Sequence, residues 1–365
     1  MDTREHLLAI EQEMNQKYIG RSDEVHGLIL AALTGQHIEL LGPPGTGKSM
    51  MIREFCSYLG ASNFHWLMTP FTTPDELFGP VDIQAYQGGV YKRVVDHKLP
   101  TVEVAYLDEL YKGSGSMLTT LLSVLQERIF YNNGTPVQCP LRFCVGSSNE
   151  IPAKADGLDA LRDRFLLRYN CGYLQDVKEF DQLLRLNYVA PTVVPLAMET
   201  VKTAYSVVRE FYLSEETLQS VSLVWERLGQ EGVVVSDRRY KQLLDVMAAE
   251  SWILNATEII PDSLLVGKHV LWTEPDKRNL VWQVVVSSVN PQLVKAQAIQ
   301  SAAQEAMIYI NGHSTHEELI QVSTQLYQLS QDLVGMGNGQ TVEGIKKEVG
   351  GYLEQVFKWF APSLN

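Results

Sequence analysis

The chain has 365 residues, 45% of them hydrophobic and 20% charged, which suffices for two or three domain cores and excludes a disordered chain. A formal net charge of −13 removes any chain-wide electrostatic case for binding nucleic acid or an anionic membrane. No run approaches the roughly 20 apolar residues of a membrane span, and the first residues carry no signal-peptide pattern, so a cytoplasmic protein is expected.

Up to about residue 175, short apolar runs alternate with helical patterns, the signature of βαβ units around a parallel sheet. The strand-like runs are 38–41, 64–68, 102–107, 142–145 and 165–167, several of them apolar on both faces, as buried parallel strands are. Beyond about residue 176 helical periodicity takes over. Pro191 and Pro195 bracket a linker, and helices are predicted over 198–211, 215–228, 237–254 and 276–288, the second stopping at Gly229. After Asn290 and Pro291 come three amphipathic stretches, marked by Ala296, Ile299, Ala303, Ala306 and Ile310, then Leu319, Val322, Leu326, Leu329 and Leu333, then Ile345, Val349, Tyr352, Val356 and Phe360. Glycine loops at Asn311-Gly312 and 335–339 separate them, which predicts an antiparallel three-helix unit and not an oligomeric coiled coil.

Gly42-Pro43-Pro44-Gly45-Thr46-Gly47-Lys48-Ser49 fits the pattern G-x-x-x-x-G-K-[ST]. The glycines let consecutive backbone N–H groups curl around phosphate oxygens. Lys48 can reach the β- and γ-phosphates, and the Ser49 hydroxyl can ligate Mg²⁺. The helix that opens at Met50 adds the positive end of its dipole. The motif directly follows an apolar strand and precedes a helical pattern, the context a phosphate loop requires.

A second apolar strand ends in Asp108-Glu109. Asp108 is placed to hold Mg²⁺, directly or through water, and Glu109 to polarise an attacking water as general base. A nucleoside kinase needs no such pair, so it favours a hydrolase. The next strand runs into Ser147-Ser148-Asn149; taken alone, Asn149 reads as a turn former. Arg162, Arg164 and Arg168 cluster at the fifth strand. Arg168 reads as a surface salt-bridging residue, whereas Arg164 could reach a neighbouring subunit's phosphates. Arg238 and Arg239 oppose the helix dipole just after the capping Ser236, a hint of an anionic partner.

Together these residues resemble an AAA+ ATPase of the MoxR family, nearest its RavA-like branch. The similarity runs from Tyr18-Ile19-Gly20-Arg21 through the phosphate loop, Pro74 to Pro80, Tyr106 to Glu109, Leu121 to Arg128, Ser148 to Pro152 and Leu158 to Arg168. It continues more weakly to Leu271-Trp272. The resemblance implies an α/β P-loop NTPase: an αβα core with a parallel sheet over 1–190, an all-α lid over 191–289 and a C-terminal helical unit over 290–365. It also implies ATP and Mg²⁺ as cofactors and a homo-oligomeric, usually hexameric ring. Lys48 and Ser49 take the Walker A roles, Asp108 and Glu109 the Walker B roles. Asn149 matches sensor 1, Arg164 the arginine finger and Arg238 sensor 2, in cis or in trans. Tyr18 and Ile19 fall where the family contacts adenine. Two hairpin insertions are expected, one around 81–94 and one over 128–143 with a turn at Asn133-Gly134. The small β-domain of the RavA-like branch has no counterpart in the helical C-terminal region, and Lys112-Gly113-Ser114-Gly115-Ser116 is unusually rich in glycine.

The resemblance implies an ATP-driven, chaperone-like remodeller or maturation factor for a protein complex, commonly working with a von Willebrand A-type adaptor. The rival readings are a slow ATP-gated scaffold, a nucleic-acid motor, which the acidic balance opposes, and a chelatase-type motor. Weaker features read as structural. Cys56, Cys139, Cys144 and Cys171 form no disulfide framework or metal knuckle and are taken as reduced, half-buried thiols. His313 and His316 lack a supporting ligand cluster, and Ser314 and Thr315 read as helix caps for Glu317 and Glu318. Thr73 to Glu76 is a capping box with Pro74 at its first turn. The six tryptophans read mainly as core residues.

Overall fold

The five predicted apolar runs become one five-stranded parallel sheet in a computed structural model that describes residues 2–150, 158–187, 190–289, 291–308, 310, 314–334, 336 and 340–360. In chain order the elements begin α1 (Thr3–Lys17), α2 (Ser22–Thr34), β1 (His37–Leu41), α3 (Lys48–Tyr58), β2 (Asn63–Leu67), α4 (Pro74–Phe78) and α5 (Ile83–Gln87). Then come β3 (Val104–Asp108), α6 (Gly115–Glu127), β4 (Ile129–Asn132), β5 (Thr135–Gln138), β6 (Phe143–Ser148), α7 (Asp159–Arg162) and β7 (Phe165–Asn170). The remaining helices are α8 (Val177–Arg185), α9 (Met198–Val208), α10 (Glu215–Gln230), α11 (Asp237–Ile253), α12 (Arg278–Val289), α13 (Pro291–Ile308), α14 (His316–Val334) and α15 (Gln340–Phe360). Two compact units interleave along the chain: Met1–Ser214 with Val235–Leu271, and Glu215–Val234 with Trp272–Asn365.

In the first unit the strand order is β2-β3-β6-β1-β7. The order places the C-terminal ends of β3, β6 and β1 side by side, with Leu107 opposite Gly146 and Leu41 opposite Ser148. Side chains on both faces of the middle strands are buried, which is why these runs are mainly apolar. α2 packs on β1 and β7, and α1 packs on α2, α3, α9 and α11. A further core layer joins Phe78, Leu107, Leu121, Phe130 and Phe165. Thr73 and Glu76 form the expected capping box at the start of α4.

Two charged residues that lie within strands are buried as an ion pair. Arg168, on β7, is 2% exposed and pairs with the buried Glu39 on β1 at 3.6 Å, while Tyr111 donates its hydroxyl to Glu39. The surface salt-bridge reading of Arg168 is therefore wrong: a parallel neighbour strand supplies its carboxylate inside the sheet layer. All four cysteines are free and buried, not half-buried. Burial pushes the thiols of Cys56 and Cys144 up to about 12, which leaves them unreactive.

The hairpin expected over 128–143 forms: β4 and β5 pair antiparallel, and Asn133 and Gly134 take positive φ values of 54° and 72° at the two-residue turn. The stretch 81–94 does not form a second hairpin. A single antiparallel bridge, Val81 to Arg93, closes it, and the short helix α5 occupies its middle because the Asp82 side chain caps Gln84 and Ala85. The glycine-rich stretch after Glu109 leads into α6, with Ser114 as its N-cap.

In the second unit α10 packs on α12, α12 on α13, and α13, α14 and α15 on one another. Leu319, Val322, Leu326, Ile345, Val349 and Val356 are buried there, as the three-helix reading requires. Thr315 and Glu318 make reciprocal capping hydrogen bonds at the start of α14. Helix α10 does not stop at Gly229. It runs through Gln230, and Gly232, with φ of 69°, is the left-handed residue that ends it. Of the six tryptophans, Trp272 is fully buried and Trp225 is exposed, so the core reading is too general. The loop residues Asn311, Gly312, Gly335 and Gly337 to Gly339, together with His313, Asn290 and 151–157, lie outside the described residues. No helix among the described residues is long and apolar enough to cross a membrane.

Candidate active site

The loop after β1 carries three glycines, Gly42, Gly45 and Gly47, whose positive φ no other residue takes easily. Gly42 has φ of 148°, and a Cβ there would lie 2.2 Å from the Cys171 carbonyl oxygen; Gly47, with φ of 83°, is the N-cap of α3. The loop is pinned from both sides. Gly42 N–H donates to Ser148 O at 3.0 Å, and Arg21 donates through Nε to Thr46 O at 3.3 Å and through its terminal nitrogen to Gly172 O at 2.5 Å. Lys48 is nearly buried, and its Nζ donates to Gly42 O at 2.6 Å and Pro43 O at 2.9 Å. Burial pulls its pKa down, against the charges of Asp108 and Glu109.

Because β3, β6 and β1 are neighbours, their ends deliver the remaining groups to the same place. A cavity of about 260 Å³ is lined by Pro44 to Met50, Asp108, Glu109 and Asn149. The Ser49 hydroxyl donates to Asp108 Oδ2 at 3.2 Å, so two oxygens converge where a divalent cation shared with a phosphate would sit. Among the described residues no group of three or more His, Cys, Asp or Glu could hold a metal by itself. The Ser49 and Asp108 oxygens fit Mg²⁺ carried in with a nucleotide, an ion that takes one or two protein oxygens and fills its other positions with phosphate and water. The Asn149 amide donates to Glu109 Oε1, and Lys112 Nζ lies 3.3 Å from Glu109 Oε2. Glu109 itself has φ of 52°, a left-handed backbone that costs a non-glycine residue about 1 kcal/mol or more.

Two groups of this site were missed by the sequence reading. Tyr106 hydroxyl lies 2.9 Å from Ser49 Oγ and 3.0 Å from Ser147 Oγ, and Ser147 donates to Asp108 Oδ1. The signal was present for Tyr106, which precedes Asp108 by two positions on β3 and so shares its strand face.

The remaining candidates lie elsewhere. Tyr18 is buried at the end of α1 and donates its hydroxyl to Glu54 of α3 at 2.6 Å, and Ile19 beside it is half-buried. Neither lines the phosphate-loop cavity. Arg164 and Arg238 line a different cavity of about 480 Å³ with Arg128 and Lys241. Arg239, the other arginine of the α11 start, is a structural brace: 1% exposed, it donates to Val270 O and Leu166 O at 2.7 Å each.

A parallel core with a glycine loop cupped over its β1 end, a paired carboxylate at the β3 end and a helical lid defines an ATPase of the AAA class. Residues 5–203 match the MoxR domain of the MoxR-vWA-beta-propeller ternary systems, and 216–285 match an AAA lid domain. The chain belongs to the MoxR family. It is 32% identical to the uncharacterized protein MJ0812 of Methanocaldococcus jannaschii over 276 residues, covering 74% of this chain and 72% of that one. It is 26% identical to the chaperone MoxR1 of Mycobacterium tuberculosis over 185 residues, covering 49% and 48%. A solved chain from Cytophaga hutchinsonii shares the fold, with a TM-score of 0.61 at 17% identity over 77% of this chain and 94% of that one.

Proposed function

We propose that this chain hydrolyses ATP as a ring-forming MoxR-type motor that remodels or matures a protein complex. The observation that carries the proposal is a division of groups within one unit. Lys48, Ser49, Asp108, Glu109 and Asn149 meet at one cavity, while Arg164 and Arg238 line another. The first set binds and activates; the second completes the site of a neighbouring copy, so assembly and turnover are coupled. Residues 1–190 act as the core, 191–289 as the lid and 290–365 as an accessory helical unit, in a hexameric cytoplasmic ring nearest the RavA-like branch. The match to MoxR domains of vWA-containing systems supports a von Willebrand A-type adaptor, and the likeness to a named chaperone supports a protein client.

In this reading the loop N–H groups and Lys48 hold the phosphates. Ser49 and Asp108 hold Mg²⁺, which when bound neutralises charge developing on the β- and γ-phosphate oxygens. Glu109, kept in place by Asn149, takes the proton of the attacking water while the water oxygen bonds the terminal phosphorus and the bond to the ADP oxygen breaks. Tyr18 and Ile19 flank the adenine side, joined to α3 through Glu54. Steady-state phosphate release tests the assignment. Glu109→Gln should bind ATP like the parent and lose turnover by about 10² or more, whereas Lys48→Ala should lose ATP binding with the fold intact. Parental turnover in Glu109→Gln would remove the general-base assignment.

A further inference from the structure

The cavity that holds Arg164 and Arg238 has a built-in anchor. Asp163 sits in the turn between α7 and β7, and its two carboxylate oxygens do different work. Oδ1 faces Arg239 at 3.5 Å, and Oδ2 faces both Arg164 and Arg238, each at 3.7 Å. Arg239 cannot drift, because Val270 O and Leu166 O fix its guanidinium inside the protein. One buried cation therefore fixes one carboxylate, and that carboxylate fixes two partly exposed cations. Among the described residues the lining of the cavity contains Arg128 and Lys241 as further cations and no acid. Two guanidinium groups share a single carboxylate oxygen, so a positive charge is left over for an outside anion. Arg164 Nε is buried without a hydrogen-bond acceptor among the described residues.

We infer that Asp163 is a positioning residue that holds Arg164 and Arg238 together as one clamp for the terminal phosphate on a neighbouring copy of this chain. The inference rests on the proposed function, and it adds that the two arginines act as a unit from the same subunit. A carboxylate that both must share keeps two like-charged groups close in the absence of phosphate. The arriving phosphate then replaces a pre-formed partner and does not have to gather two mobile side chains.

Asp163→Asn keeps the shape of the side chain and removes the charge. It should bind ATP with KM near the parental value and lower kcat by about 10²-fold, since the loss falls on the transition state of the neighbour's site. Asp163→Glu, which keeps an anion for Arg239 and therefore preserves the fold, should lose less, with KM again unchanged. Mixing either variant with Lys48→Ala under subunit exchange should recover activity, because Lys48→Ala presents an intact clamp to the variant's intact phosphate loop. A purely structural role for Asp163 would lower ATP binding, thermal midpoint and turnover together and would not be rescued by mixing. Parental kcat in both variants overturns the inference. So does failure to complement Lys48→Ala when Arg164→Ala does complement it. If Arg164→Ala fails to complement as well, it is the proposed function that falls, and this inference falls with it.

Discussion

Tyr106 carries part of the site through a hydroxyl no motif names. Its oxygen touches Ser49 and Ser147, the two hydroxyls that in turn donate to Asp108. Tyr106→Phe leaves the ring stacked on His65 at 4.6 Å and removes one partner from Ser49. A net hydrogen bond contributes about 1 kcal/mol, so the Mg²⁺ concentration giving half-maximal turnover should rise about fivefold. ATP-free thermal stability should stay close to parental. A Mg²⁺ titration of phosphate release checks this, and an unchanged midpoint would remove Tyr106 from the site. At this scale the sequence was legible where chemistry is contiguous. Gly42 to Ser49 and Asp108-Glu109 are unbroken runs whose spacing dictates their use. Arg168 and Arg239 were illegible, since nothing beside either in the sequence signals that Glu39, or a row of carbonyls distant in sequence, waits inside. Such buried pairs are costly to break, about 3–5 kcal/mol when one partner is removed.

Helices α1, α2 and α11 meet at one titratable side chain. His26 of α2 lies 2.8 Å from Glu11 of α1 and 2.6 Å from Glu250 of α11. Burial disfavours its charged form, but the hydrogen bonds and charges of the two glutamates outweigh burial and push its pKa from 6.5 up to about 10. The folded chain therefore keeps a proton that the unfolded chain releases between those values. The stabilisation is complete below about 6.5 and is lost as pH rises through about 10. His26→Gln should cost about 1.5–3 kcal/mol near neutral pH, and the gap from the parent should shrink at strongly alkaline pH. Urea unfolding of both chains across pH measures it; a gap independent of pH would show that the ring is neutral in the fold. Asn132 couples two insertions in the same way, receiving from Arg93 N–H at 2.8 Å and donating to Arg93 O at 3.1 Å. Asn132→Ala should speed amide exchange at Arg93 and in the β4–β5 hairpin while ATP binding holds. Unchanged exchange would show that the insertions stand independently. The hairpin was legible from Asn133-Gly134, whereas α5 was not, because its only helix signal is the single cap at Asp82. Gly229 misled for a related reason: glycine inside an exposed helix costs only about 1 kcal/mol, too little to end α10.

For the chain as a whole, the alternation of apolar runs and helical patterns led directly to the parallel sheet. The sheet order β2-β3-β6-β1-β7 then explains why residues as far apart as Lys48, Glu109 and Asn149 share one cavity. What the sequence could not reveal is that Arg164 and Arg238 face a separate cavity of the same unit. That separation is the strongest reason to read the site as shared between copies. An arginine finger contributes about 10³ to 10⁵ in rate, so Arg164→Ala should bind ATP and turn over almost none. Lys48→Ala should be equally inactive yet present a sound Arg164. The most direct measurement is phosphate release after mixing these two inactive chains under demonstrated subunit exchange. The account predicts that activity returns, at interfaces where an intact Lys48 meets an intact Arg164 from the neighbour. No recovery, with a graded linear loss when wild type is diluted by Arg164→Ala, would place Arg164 in its own subunit's site and contradict the account.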